Sequence, residues 1–281
     1  MISPIQWYGG KGKIVKRLLT YVPPHEHYVE VFGGGGSLLF AKQPCHGTET
    51  FNDLDSGLIN FFRVLRDPKQ FEVFRRLVSL TPYSREEYKH SKEVIDNCNN
   101  SIDWAYHWYV IARQSISGIH GSSWRYSVGT EHYSAPASRY ASAIDKLPQI
   151  CDRLRNVQIE CKDFRDLILI HVAPSTLIYC DPPYIASTRG VASVYKHEMS
   201  DEDHEDLLNI LIEYPQMVML SSYKNDLYDK DLIPAGWKRY TIATKGASLI
   251  PGHSKSALNE LLWLNPLARS ELHRAKQLQL F

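Results

Sequence analysis

The stretch HYVEVFGGGGSLLFA, residues 27–41, reads as a short apolar strand that breaks into four glycines and resumes as a helix. Glycines at such a turn let the backbone reverse tightly and approach a ligand at the carboxyl edge of a sheet. Two ligand classes compete for the site, a dinucleotide and S-adenosylmethionine. The dinucleotide fingerprint G-x-G-x-x-G is broken, because Leu38 stands where the third glycine belongs. No Lys-Ser/Thr pair closes the loop either, as a phosphate-cradling loop requires. The next strand-like run, TETFND at 48–53, ends in Asp53, where an acid hydrogen-bonds a ribose diol. Both ligands carry that diol, so Asp53 locates a site without choosing its occupant. Asn52 or Asp55 reads equally well as the N-cap of a helix over 56–66.

Outward from this turn, strand-like runs appear at 27–32, 48–53, 157–163, 177–180, 217–222, 238–245 and 258–264. Helical periodicity fills 37–43, 56–66, 69–79, 84–96, 101–116, 138–154, 164–170, 200–213 and 224–232. The alternation predicts an α/β fold, a Rossmann-like sheet with helices on both faces. The stretch 64–155 is helical apart from one polar break and reads as an inserted lobe. The organisation expected is therefore a catalytic unit of 1–63 and 156–265, the lobe, and a tail from 266 to 281. The break, GIHGSSWRYSVGTEHYS at 118–134, predicts a β-hairpin in which WRYSV and EHYS flank a Gly-Thr turn.

The 281 residues are 43% hydrophobic and 22% charged, ordinary values for a globular protein. No apolar run approaches the roughly 20 residues of a membrane span, and MISPIQWYGGKGK lacks a signal-peptide core. The five cysteines, 45, 98, 151, 161 and 180, include no C-x-x-C pair, which points to reduced thiols in a cytoplasmic protein without a metal site. Net charge is 32 − 31 = +1, so nucleic acid would bind only through a local basic patch. The lobe offers one, with Arg113, Arg125 and Arg139 among aromatics that include Trp124 and Tyr126.

The run LIYCDPPYI, 177–185, supplies the chemistry. A buried strand stops at Asp181-Pro182-Pro183-Tyr184, which places Asp181 at the carboxyl edge beside any ligand over the glycine turn. The prolines fix φ and forbid helix at Asp181 and Pro182. The Asp181 carboxylate and the stiffened Pro182 carbonyl are two acceptors suited to a planar NH2 group, and Tyr184 offers a face for a flat base. Accepting both amine hydrogens favours the pyramidal nitrogen that attacks a sulfonium methyl. An amine paired within a duplex is out of reach, so its base must be flipped out.

In this order the motifs resemble the Dam-type N6-adenine DNA methyltransferases, whose recognition lobe is inserted ahead of the DPPY motif. Trp7-Tyr8-Gly9-Gly10-Lys11 resembles the family's W-x-G-G-K, which implies that Trp7 and Lys11 line the cofactor pocket. Glu30-Val31-Phe32-Gly33-Gly34-Gly35 resembles its acid-x-F-x-G motif, which implies that Glu30, Phe32, Gly33 and Gly35 contact S-adenosylmethionine. Asp53 matches the ribose acid. Cys161-Lys162-Asp163-Phe164 resembles C-x-D-F, with Asp163 facing the cofactor's adenine and Phe164 beside it. Asp181, Pro182, Pro183 and Tyr184 match the catalytic motif, with Asp181 also reaching the methionine end. Asn259-Glu260-Leu261-Leu262 resembles a late strand. Arg113-Gln114-Ser115-Ile116-Ser117-Gly118 occupies the place of N-R-x-x-x-N-G, and 122–134 that of a DNA-inserting hairpin. Arg113 and Ser117 stand where asparagines are usual, so no recognition sequence is carried over. Arg125 and Arg139 are expected at bases or phosphates. Cytosine N4, RNA adenine and, from a different class, NAD-dependent oxidation are the rival activities.

At the end of the chain, Gln277-Leu278-Gln279-Leu280-Phe281 resembles the pentapeptide by which bacterial replication and repair proteins bind the polymerase sliding clamp. Leu278, Leu280 and Phe281 would fill pockets of the partner while Gln277 hydrogen-bonds.

Overall fold

The computed structural model describes residues 3–128, 135–185, 188, 195–245 and 258–278. Among the described residues, seven strands form one sheet: β1 His27–Glu30, β2 Glu49–Asn52, β3 Val157–Glu160, β4 Thr176–Cys180, β5 Met217–Tyr223, β6 Lys238–Lys245 and β7 Leu258–Leu264. Their order is β3-β2-β1-β4-β5-β7-β6. All neighbours are parallel except those of β7, which runs antiparallel to β5 and β6. The order reverses between β1 and β4, where Glu30 pairs with Tyr179. Both strands therefore release their chains at one edge, β1 into the glycine turn and β4 into Asp181. A crevice at such a reversal is where open α/β sheets bind ligands.

Helices flank or extend the sheet. Those before β3 are α1 Val15–Leu19, α2 Ser37–Ala41, α3 Ser56–Arg66, α4 Pro68–Leu80, α5 Arg85–Val94, α6 Ser101–Gln114, α7 Pro136–Ile144 and α8 Leu147–Leu154. The others are α9 Phe164–Ile170, α10 Asp201–Glu213, α11 Asp226–Leu232 and α12 Pro266–Leu278. The central strands are largely apolar because both faces are covered. Tyr28, Leu177, Tyr179 and Met219 join the core on one side, while Val29, Ile178, Cys180 and Val218 join residues of α9, α10 and α11 on the other. The first core runs without interruption into helices α3, α4, α6, α7 and α8. Phe61 of α3 stacks on Trp108 and Tyr109 of α6 at 5.3 and 5.4 Å and meets Phe74 of α4 edge-on at 5.7 Å.

One expectation is corrected here, and two segments gain detail. The single helix expected over 138–154 is two, α7 and α8, with Pro148 in the first turn of the second, where its missing N–H costs nothing. The hairpin's first arm contacts the end of α6. Trp124 bridges Ser115, and Arg125 N–H donates to the Gln114 carbonyl at 2.8 Å, so the arm adds to the end of α6. Its expected partner arm and turn, 129–134, lie outside the described residues. The tail is helical as α12, with Ala268 and Leu272 buried, so Gln277 and Leu278 close a helix; Leu278 is exposed. Leu280 and Phe281 lie outside the described residues. All five cysteines are free thiols. Among the described residues, no helix is long and apolar enough to cross a membrane.

Candidate active site

The glycine turn is shaped by its neighbours. A side chain at Gly33 would meet the Phe51 ring at 2.3 Å, and one at Gly34 (φ +47°) would meet Trp7 Nε1 at 2.6 Å. Only a bare backbone fits between these rings. Asp53 fastens the turn from below, accepting from Gly34 N–H and from Asp55 N–H, both at 2.8 Å. Burial pushes its carboxyl above the usual range, and those two donors pull against the shift. Asn52 is a brace rather than a cap: its amide nitrogen donates to Val31 and Lys162 carbonyls at 2.9 and 3.0 Å, and its oxygen accepts from Lys162 N–H at 2.8 Å. Asp55 is the N-cap of α3, accepting from Gly57 N–H at 2.9 Å.

Above this turn lies a cavity of about 790 Å3. Trp7, Lys11, Glu30, Phe32, Gly33 and Gly35 line it from the N-terminal segment and β1, and Asp53, Asp163, Phe164, Asp181, Pro183 and Tyr184 from the other strand ends. The rings of Phe32 and Phe164 pack on one another, tilted by 40° with centroids 5.7 Å apart, and form an apolar patch of the wall. Asp163 caps α9 by accepting from Arg165 N–H at 2.9 Å. Arg165 lies over Phe164 at 4.4 Å and pairs with Asp163 and Asp203.

At the β4 end, Lys11 Nζ sits 2.6 Å from Asp181 Oδ2 and 3.2 Å from Glu260 Oε1, and donates to the Gly9 carbonyl at 3.0 Å. The Tyr184 hydroxyl donates to the same Glu260 oxygen at 3.2 Å. Burial alone would lower the Lys11 pKa, but the Asp181 and Glu260 carboxylates raise it above its usual value, so Lys11 is a cation. Burial pushes Asp181 upward, and Lys11 opposes that shift. Glu30 is buried and accepts from neutral donors, the Tyr28 hydroxyl at 2.9 Å and Leu39 N–H at 2.8 Å. Burial raises its pKa to about 7. Pro182 is buried and does not line the cavity.

None of Arg113, Ser117, Trp124, Arg125, Tyr126 and Arg139 lines the cavity. Within the segment 116–120, which contains Ser117, the residues Gly118, Ile119 and His120 do. Ser117 and Gly118 both have positive φ, 60° and 73°, and Tyr8 N–H donates to the Gly118 carbonyl at 3.1 Å. Arg125 reaches the same N-terminal segment through Gln6 Oε1 at 2.9 Å, and Arg113 donates to the Arg139 carbonyl at 3.0 Å. Burial, and repulsion from Arg139, lower the Arg125 pKa. Trp124 and Tyr126 stack at 6.1 Å, with Arg85 over Trp124 at 4.7 Å.

Residues 7–242 match the family model of the D12 class N6 adenine-specific DNA methyltransferases. The chain belongs to that family. Among its relatives, a DNA adenine methylase of Serratia marcescens is 23% identical over 92% of this chain and 97% of that protein. A type II methyltransferase of Lactococcus lactis subsp. cremoris, M1.LlaDCHI, is 27% identical over 80% of this chain and 82% of that protein. A DNA N-6-adenine-methyltransferase of Escherichia phage P1 is 21% identical over 75% of this chain and 28% of that longer protein. This D12-class enzyme thus transfers a methyl group to N6 of adenine in DNA, which decides between the two ligand classes left open by the glycine turn in favour of a methyl donor.

The methyltransferase cavity also uses residues that the motifs did not single out. Glu260 lay within a stretch read only as a strand, and nothing local marked its carboxylate as paired with Lys11. Tyr195, Lys196 and His197 line the wall ahead of α10 with no motif to announce them. His120, stacked on Trp108 at 5.1 Å, looked like one polar residue of a loop.

Proposed function

We propose that the cavity binds S-adenosylmethionine beside an adenine flipped out of duplex DNA, and that Asp181 is the group that receives the amine. S-adenosylmethionine, when bound, supplies a methyl group activated by a sulfonium. The fit rests on features of this chain. The apolar patch of Phe32 and Phe164 suits the face of a flat ring, Asp53 at the turn suits a ribose diol, and Glu30, a buried carboxyl held by neutral donors, suits an ammonium group. The single observation that carries the reading is that Asp181 opens on the same cavity as the glycine turn, with one carboxylate oxygen already held by Lys11.

In this reading Lys11 holds the Asp181 carboxylate in place, and Asp181 accepts a hydrogen from N6 as the nitrogen becomes pyramidal. Tyr184, packed edge-on against Tyr223 at 4.5 Å, supports the base. Residues 64–155 act as the DNA-reading lobe on a catalytic unit of 1–63 and 156–265. Arg113, Arg125 and Arg139 meet phosphates or bases, Ser117 shapes the turn to the pocket, and Trp124 and Tyr126 stack near the duplex. Residues 277–281 bind a sliding clamp, which places the enzyme with replicating DNA in a cytoplasm. The test is incubation with methyl-labelled S-adenosylmethionine and duplex DNA. Label on adenine N6 is expected, and label on cytosine, on RNA alone or nowhere refutes the proposal.

A further inference from the structure

Among the described residues, the charges at the β4 end of the cavity do not balance. Among the described residues, Lys11 is the one cation there, and it serves two buried carboxylates, Asp181 at 2.6 Å and Glu260 at 3.2 Å. With Lys11 protonated the trio sums to 1 − 2 = −1. The Lys11 and Glu260 side chains are each 5% exposed, so solvent does little to screen the excess. The Glu260 oxygen also accepts from the neutral Tyr184 hydroxyl, which a glutamine could satisfy without the charge. Elsewhere on the wall, Arg165 serves Asp163, Asp203 and Asp206, but those four side chains are 32–47% exposed and water screens them, and Lys196 pairs with Asp55 at 3.6 Å. Burying a carboxylate without its own counter-charge destabilises a protein unless a cation arrives.

We propose that Glu260, which does not itself line the cavity, keeps the Lys11/Asp181 end anionic and so makes the site select a sulfonium methyl donor over its neutral thioether product. The inference rests on the methyl-donor reading above. In the transfer, the pair of the S–CH3 bond stays on sulfur, the N6 lone pair forms the new N–CH3 bond, and N6 sheds one proton to solvent. The positive charge thereby leaves sulfur, and the anionic wall loses its partner. Glu260 is a positioning residue: it acts through Lys11, whose charge it over-compensates, and it favours both capture of the charged donor and release of the spent one. Glu30, buried among neutral donors, adds to the same field when ionised.

The test is equilibrium binding by calorimetry of three probes to the full chain: S-adenosylmethionine, S-adenosylhomocysteine, and sinefungin, which carries a protonated amine where the methylsulfonium would be. Wild type is expected to bind the two cationic probes at least about tenfold more tightly than the thioether. A unit charge about 10 Å away at an effective dielectric of about 20 is worth about that much. Glu260→Gln should remove most of the advantage while changing thioether affinity by less than about twofold. Tyr184→Phe, which deletes the hydroxyl contact but not the charge, should retain it. Equal loss for all three probes in Glu260→Gln would mean that Glu260 only packs, and overturns the inference. Wild type with no preference for the cations overturns it too, even if the variant fails to fold. Binding of none of the probes by folded wild type would bring down the methyl-donor reading and this inference together, a result distinct from either of those.

Discussion

Replacing Lys11 with methionine keeps the apolar stem and deletes the ammonium, leaving Asp181 and Glu260 as neighbouring buried carboxylates. In wild type one Nζ lies 2.6 Å from the first and 3.2 Å from the second. Removing one partner of a buried pair costs about 3–5 kcal/mol. Here the loss is limited because a carboxylate can take up a proton instead. Two carboxyls forced together hold one proton more tightly than an ordinary carboxyl does, and each tenfold in proton affinity is worth roughly 1.4 kcal/mol. A proton held about a hundredfold more tightly then caps the loss near 3 kcal/mol at pH 8. The sign follows from linkage: a carboxyl with a raised folded-state pKa is favourable to folding only while protonated, so the penalty grows as pH rises above the unfolded value. Lys11→Met should therefore lie within about 1 kcal/mol of wild type at pH 4.5 and about 3 kcal/mol below it at pH 8. Urea denaturation of both proteins at the two pH values measures this. A deficit of the same size at both, or one under about 1 kcal/mol at pH 8, refutes the account of Lys11 as the shared counter-ion.

Glu30, with its pKa raised to about 7, should make stability fall between about pH 4.5 and pH 7. Glu30→Gln keeps an oxygen for the Tyr28 hydroxyl and Leu39 N–H and should flatten that fall, a gain of at most about 3 kcal/mol at pH 8 in denaturation; an unchanged pH profile argues against a titrating Glu30. Asp181→Ala should lower methyl transfer by at least about a hundredfold while DNA affinity by gel shift stays within a few-fold, since a charge-stabilising group is lost and the arginines of the insertion remain; near wild-type turnover removes Asp181 from the chemistry. Deleting residues 277–281 should abolish binding to a bacterial sliding clamp in surface plasmon resonance and leave methylation of short duplexes intact, and clamp binding by the truncated chain would discard the tail's assigned role.

Much of the framework was legible along the chain because local signals carry it. Seven β-rich runs became seven strands, since each buried strand needs an apolar run whatever its partners. The glycines of 33–36 free φ and ψ and the prolines of 182–183 restrict them, each within a few residues, so the turn and the strand exit could be read without a fold. The sequence also held the acids at both strand ends, Asp53 and Asp181. Local signals are silent on contacts that packing chooses. WRYSV pairs with the end of α6 because unsatisfied backbone groups take whichever edge packing brings near. The insertion shares its core with the sheet because Phe61, on a helix assigned mostly to the catalytic unit, stacks on two aromatics of α6.

By itself, then, the sequence determined the elements, their order and the chemistry offered at each strand end, because dihedral limits and hydrophobic periodicity act between near neighbours. Only the tertiary structure decided which charges meet. Lys11, Asp181 and Glu260 are far apart along the chain, and their encounter exists only because β7 runs antiparallel beside β5, while the turn at Lys11–Lys13 lies across the same edge. Electrostatic energy depends on distance and burial in space, and neither has a local signature in the chain.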